Sequence, residues 1–170
     1  MTKTDSETKI HPIPEGYNSV TPWVIVKGAD EFLGFIKRAF GAEELARVYD
    51  ASGSIGHAEA RIGNSMIMMF DSKDDWQKTP CFLRLYVEDA DAVYKQAIEA
   101  GAVSVTEVTL LSFGDRVGRI SDPWGNIWWI QTHIENVSFE EMEIRSRKPE
   151  AVESMLYVQE TLDRELSSRN

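Results

Sequence analysis

His57 and Glu59 stand two residues apart in the run HAEARIG. On a strand, that spacing puts both side chains on one face. An imidazole beside a carboxylate can work as a base and its orienter, or as two ligands of a metal. The pair equally suits a polar strand face or a contact between subunits, and this plainer reading is the expectation. Asp115-Arg116 and Arg119-Asp122 are expected to frame the mouth of the second half of the chain, with Arg116 in an ion pair or against a ligand anion. The remaining histidines, His11 and His133, fall in the N-terminal segment and at the end of the last expected strand, so the three make no metal signature. Cys81 is the single cysteine, which excludes an intramolecular disulfide and a cysteine-based zinc cluster. The chain has no P-loop, GxGxxG, GxSxG or HExxH, so nucleotide kinases, Rossmann dehydrogenases, esterases of that type and zincins have no support.

These groups need elements to hold them. The chain has 170 residues, with 18 Lys+Arg against 28 Asp+Glu, a net charge of −10 and an apolar fraction of 42%. That is globular composition, long enough for a core without disulfides. The acidic balance argues against nucleic acid as a partner, since nucleic acid needs a basic footprint, and against anionic membranes. The first residues lack the apolar region of a signal peptide, and no apolar run reaches a membrane span, so a cytoplasmic location is expected.

Residues 1–16 read as a loose arm. A strand is expected over 19–26, at an edge or with a bulge because of Pro22. Phe32, Phe35, Ile36, Ala39 and Phe40 recur at helical spacing, and Gly41 stands where a C-terminal cap belongs. Strands are expected over 44–49, 56–62 and 65–70. After a linker at 73–78, a strand begins near Cys81, and a helix follows with Ala90, Val93, Tyr94 and Ala97 on one face. Strands return over 104–109, 116–121 and 127–132, with DPWGN as the turn between the last two. The tail opens on a Ser138-x-x-Glu141 capping box. After Pro149, a helix to about Ser167 carries a narrow stripe of Val152, Met155, Leu156, Leu162 and Leu166, expected to pack on the domain or on a partner subunit.

The two halves repeat. Val26-Lys27-Gly28-Ala29-Asp30 aligns with Val87-Glu88-Asp89-Ala90-Asp91 at an offset of 61, and Gly41-Ala42 with Gly101-Ala102 at an offset of 60. Gly56 and Arg61 align with Gly114 and Arg119 at an offset of 58. Each half reads strand, helix, three strands. The expected fold is α+β, with two tandem βαβββ modules (17–72 and 79–137) forming a curved mixed sheet with a cleft. Residues 17–137 make the domain, and 138–170 a C-terminal helical tail.

This duplication resembles the vicinal oxygen chelate superfamily, which includes glyoxalase I, extradiol dioxygenases, bleomycin-resistance and fosfomycin-resistance proteins. The stretches IPEGYNSVTPWVIVKG, AFGAEEL, HAEARIG, LYVEDADA, FGDRVGR and DPWGNIW, with THIENVS closing the domain, resemble its PhnB-like branch. The resemblance implies a cleft holding one divalent metal, with one ligand from the first and one from the fourth strand of each module. Spacing puts those positions at Thr21, Met68, Phe82 and Trp129. None is an ordinary ligand of a catalytic divalent metal, and of their neighbours only Cys81 could coordinate one. No cofactor is therefore expected, and metal-dependent glyoxalase or dioxygenase chemistry is disfavoured.

In that register the cleft is lined by Thr21, Trp23 and Ile25, by Met66, Met68 and Phe70, by Phe82, Arg84 and Tyr86, and by Ile127, Trp129 and Gln131. Ile25, Phe70 and Ile127 read as core filling. Arg84 on an inward face needs a partner, either Glu59 or Asp115 within the chain or an acidic ligand. The expected function is binding of a small, partly aromatic or amphipathic organic molecule by a metal-free homodimer, as bleomycin-resistance proteins sequester a toxic compound. Ligand contacts are expected from Thr21, Trp23, Met68, Phe82, Arg84, Trp129, Gln131 and Arg116. One alternative is an isomerase, lyase or hydrolase using His57, Glu59 or a metal at a non-standard place. The other is an interaction module acting through the C-terminal helices.

Overall fold

The computed structural model describes residues 10–169, so residues 1–9 of the expected arm lie outside the described residues. The order of elements is β1 (Trp23–Val26), α1 (Ala29–Phe40), β2 (Glu43–Tyr49), β3 (Ile55–Ile62), β4 (Ser65–Asp71), β5 (Phe82–Tyr86), α2 (Ala90–Glu99), β6 (Val103–Leu111), β7 (Asp115–Ser121), β8 (Ile127–His133), α3 (Phe139–Ser146) and α4 (Pro149–Ser167). Two βαβββ modules result, each a mixed four-stranded sheet, in the orders β1-β4-β3-β2 and β5-β8-β7-β6. Among the described residues, no helix is long and apolar enough to cross a membrane.

Local chemistry sets the boundaries. β1 is shorter than the expected 19–26, because Pro22 has no N–H for a ladder and instead accepts from the Met68 N–H. α1 opens at Gly28, which has no side chain to cap it. Asp71 at the end of β4 does this instead, accepting the Gly28 and Ala29 N–H groups at 2.9 and 2.8 Å. In the second module Asp89 caps α2 directly, through the Ala92 N–H. Ser138 caps α3 through the Glu141 N–H, as the capping box predicts.

Each sheet covers one face with its own helix. Val24, Val26, Ala58, Ala60, Ile67 and Met69 turn toward α1 and are buried. Ile120, Trp128 and Ile130 turn toward α2. Gly118 shares that face, and a Cβ there would approach Val108 to 2.8 Å. The two covered faces join in one core. Phe40 packs on Trp128 with the rings tilted and their centroids 4.4 Å apart, Phe32 and Phe35 pack on Trp124, and the Trp124 indole donates to the Lys27 carbonyl. α1 and α2 pack on each other, and no strand of one sheet packs substantially on a strand of the other. The modules therefore meet through their helical sides. The opposite faces, here called the front faces, are separate within one chain, and this is where the expected site residues lie.

Candidate functional site

On the first front face, Trp23 and Glu59 flank Met68 in the ladder. The Trp23 ring lies 5.4 Å from His57 and 5.2 Å, edge-on, from Phe70. Glu59 accepts a hydrogen bond from His57 Nε2 at 2.8 Å and a second from the Tyr17 hydroxyl. The Tyr17 bond, and then His57, hold the Glu59 carboxyl below the usual carboxylate range. The sequence pair is thus a real contact. An ionised Glu59 keeps the proton on Nε2 and leaves Nδ1 of a neutral His57 as an acceptor. Tyr17 was not anticipated: it reaches Glu59 across 42 residues, from a loop with no periodic signal. Thr21 lies just before β1 and donates to the Asn18 carbonyl at 3.4 Å.

The second front face is different. Trp129 lies between Arg84 and Arg119 in the ladder, and both guanidinium groups sit over its ring, at 4.5 and 4.0 Å from the centroid. Phe82 approaches the same indole at 6.3 Å. Arg84 does not pair with Glu59 or Asp115: Glu59 is held by Tyr17 and His57, and Asp115 accepts from Gln131 and bonds His133 Nδ1 at 2.5 Å. Arg119 was expected at the mouth, yet it is only 2% exposed. Its Nη1 donates to the Val158 carbonyl at 2.7 Å and to Thr106 Oγ1 at 3.1 Å. Burial, and then the charge of Arg84, pull its guanidinium down to about 10, so it remains a cation at neutral pH.

The carbonyl on Arg119 belongs to α4, which covers part of this face. Val158 packs with Leu111 and Val117, against Phe113, Trp129, Met155 and Tyr157. Thr161 hydrogen-bonds Thr106 at 2.7 Å, and the Tyr157 hydroxyl accepts from the Glu107 N–H. The helix therefore packs on its own domain through Met155, Val158 and Thr161. Val152, Leu156 and Leu166 of the expected stripe stay exposed. Met155 keeps its place in the stripe and Leu162 is half-buried, while Thr161, with a hydroxyl partner, is buried where Leu156 and Leu166 are not.

Arg116 lies on the opposite face of β7. It is bound to Asp91 of α2 through Nε and Nη2 at 2.6 and 2.7 Å, away from both front faces. Strand alternation separates it from Arg119, three residues on. The 58-residue offset for β3 and β7 is likewise not the ladder register. Glu59 faces Met68 and Arg119 faces Trp129, so Glu59 and Arg119 are the equivalent pair, at an offset of 60.

The sites implied for a divalent metal do not fit one. Thr21, Met68, Phe82 and Trp129 offer a hydroxyl, a thioether and two rings, on two separate sheets, and an indole N–H is a donor only. Among the described residues, no three His, Cys, Asp or Glu side chains are grouped as a metal would need. A groove of about 650 Å³ runs beside β5, lined by Pro22, Phe40, Met66, Arg84, Tyr86 and Trp128 among others. It joins the two modules and takes in Arg84 of the expected ligand contacts.

The sequence profile of the Glyoxalase/Bleomycin resistance protein/Dioxygenase superfamily matches residues 16–130. An uncharacterized protein of Mycobacterium bovis is 30% identical over 136 residues, covering 74% of this chain and 90% of that one. A counterpart from Mycobacterium tuberculosis has the same identity and covers 80% of its own length. Among solved structures, TioX from Micromonospora sp. ML1 is similar at a TM-score of 0.59 and 22% identity, over 69% of this chain and 99% of its own. The fosfomycin resistance protein FosX of Listeria monocytogenes reaches 0.56 at 17% identity, over 74% and 97%. A PhnB protein from Bacillus cereus, described as a putative 3-demethylubiquinone-9 3-methyltransferase, reaches 0.53 at 16%, over 68% and 99%. At these identities the structural likenesses establish the fold alone.

Proposed function

This chain belongs to the Glyoxalase/Bleomycin resistance protein/Dioxygenase superfamily, and from that premise we propose that it binds a small, partly aromatic organic molecule on its front faces without the divalent metal. The observation that carries the reading is the surface at the family's metal positions. Trp23 is 44% exposed and Phe82 48% exposed beside Met68 and Trp129, where ligands of a metal would stand. Large rings left open to water on a sheet face suit a flat apolar ligand or a second protein surface. The closing segment THIENVS and the DPWGN turn favour the PhnB-like branch within the superfamily.

Both occupants have a place. The modules meet through α1 and α2, so the first front face, and the part of the second that α4 leaves open, are not used between the modules of one chain. A homodimer that sets the first front face of one copy beside the second front face of another would complete a cleft from two half-sites. Native mass spectrometry of protein purified without chelator tests both parts. The expected result is a dimer free of divalent metal, with or without an organic adduct whose mass identifies the ligand. One divalent metal per subunit would overturn the metal-free reading, and a monomer would overturn the shared cleft.

A second reading rests on the His57–Glu59 bond. With Nε2 held by Glu59, Nδ1 of His57 can take a proton from a molecule stacked on Trp23, which makes this face the place for an isomerase or lyase. An enzyme of this kind loses turnover in His57→Gln while keeping its ligand affinity. A binder loses affinity in Trp23→Ala and has no turnover to lose.

A further inference from the structure

Three buried side-chain atoms lack a hydrogen-bond partner among the described residues: Arg119 Nε, Trp129 Nε1 and Gln131 Oε1. All three belong to the second front face. Arg119 and Gln131 are each 2% exposed, so bulk water does not compensate them. The same face carries two guanidinium groups over a single indole, at 4.5 and 4.0 Å from its centroid. Arg47, Arg61, Arg116, Arg145 and Arg169 all hold a carboxylate. Arg84 and Arg119 have no carboxylate partner among the described residues; the same holds for the exposed Arg38, Arg147 and Arg164, but of these five only Arg119 is buried. In a chain of net charge −10, two cations without a carboxylate on one tryptophan, one of them buried, offer a place for an anion from elsewhere.

The acceptors now on Arg119 are Thr106 Oγ1 and the Val158 carbonyl of α4, neutral groups, the second in the place an oxyanion would take. α4 is held there by the Thr161–Thr106 bond, the Tyr157–Glu107 bond and the packing of Val158 and Met155 on Leu111, Val117 and Trp129, and just past its end by Arg169 on the Gly125 carbonyl and Ser121. Arg84 and Phe82, at the other side of Trp129, stay exposed. We propose that the second front face is an organic-oxyanion site, in which Arg84 and Arg119 hold the acidic group, Trp129 and Phe82 hold a flat apolar body, and α4 is the tethered gate that must yield for Arg119 to be reached. The inference deepens the binding reading above and rests on it. The chemistry is that of a carboxylate or sulfonate on an aromatic or otherwise planar frame.

The test uses the full chain and two probes of the same shape, 2-naphthoate and the neutral 2-naphthamide, titrated calorimetrically. The expected result is naphthoate binding at least tenfold more tightly than the amide. Arg84→Gln, at an exposed position that leaves the fold intact, abolishes the preference, and Arg84→Lys keeps most of it. Thr161→Val removes the hydroxyl that ties α4 to Thr106. It lowers the melting temperature and yet tightens naphthoate several-fold, a pairing that simple damage to the fold does not produce. Equal binding of acid and amide overturns the anion site and leaves the general binder standing. A preference that survives Arg84→Gln also overturns it. Weaker naphthoate binding in Thr161→Val overturns the gate, and no binding of either probe to wild type or Thr161→Val overturns both this inference and the reading it rests on.

Discussion

The two modules share one strand order, β1-β4-β3-β2 and β5-β8-β7-β6, and carry opposite charges at the same backbone position. Glu59, opposite Met68, is an acid satisfied by Tyr17 and His57 on a face open to solvent. Arg119, opposite Trp129, is a base stacked on an indole under a helix, with one nitrogen left over. Duplication therefore preserved the ladder and released the side chains. A sheet needs only its hydrogen bonds and one buried face to keep its register, so the other face is free to diverge. The first module uses that freedom for a complete polar network beside exposed rings, and the second for an incomplete one beneath α4.

The comparison breaks most sharply where the tail leaves the second module. Gly114 has φ +87, and a Cβ there would lie 2.3 Å from the Glu135 carbonyl oxygen, while its own carbonyl accepts the Ile134 and Glu135 N–H groups. Gly114→Ala should cost about 3 to 5 kcal/mol in urea unfolding, since strain and clash add. A loss below about 1 kcal/mol would show that the route to α3 and α4 is not fixed there. Next comes the covered face itself. Leu111→Ala removes a buried contact of Val158 and should cost about 2 to 3 kcal/mol. Trp23→Ala on the open face should cost about 1 kcal/mol, from its ring contacts with His57 and Phe70. Equal costs at the two positions would end the distinction between a closed and an open face.

Smaller effects separate the polar networks. Tyr17→Phe removes the donor that contributes most to holding down the Glu59 carboxyl, so that titration should move upward when followed by NMR, with about 1 kcal/mol or less in stability. An unmoved Glu59 would mean that His57 alone stabilises the carboxylate. The two modules should also respond oppositely to pH. Glu59 lies below its ordinary 4.5, so its contribution is full above that value and fades as pH falls toward its folded one. His133 is raised above 6.5 by Asn136 and then Asp115, so its contribution is full below 6.5 and fades as pH rises through its higher folded value. Glu59→Gln should flatten the acid limb of the melting profile and His133→Gln the alkaline limb. The same variant flattening both limbs would contradict the separation.

Much of this architecture was legible from residue order. Gly41 after α1, the Ser138 cap and the DPWGN turn all depend on neighbours within a few residues, where φ preference and side-chain reach decide the outcome, and the βαβββ repeat shows as the same local signals returning about 60 residues on. In that turn Asp122 accepts the Trp124 and Asn126 N–H groups and the Trp128 indole, which ties turn, strand and core together. That Trp23 and Met68 share a face, as do Arg84 and Trp129, was readable too, since two-residue alternation and the offset of 61 agreed; their pairing in the ladder was not. Arg119 was not. The β7 run DRVGRIS has two arginines in opposite phase, and nothing local says which phase meets α2. Gly118, forced small by Val108 and Tyr94, is the one clue to the helix side, and its meaning depends on packing.

The sequence by itself determined the two modules, the helix and turn boundaries, and the absence of ordinary metal ligands at the four positions that the resemblance points to. Only the tertiary structure decided that the modules meet through α1 and α2, that Arg116 goes to Asp91 while Arg119 goes under α4, and that Glu59 finds Tyr17. The physical reason is distance along the chain. Caps and turns close over two to four residues, whereas the Tyr17–Glu59, Arg119–Val158 and Thr106–Thr161 contacts span 42, 39 and 55 residues. At those separations alternation still offers two faces, and only the packing of whole elements chooses between them.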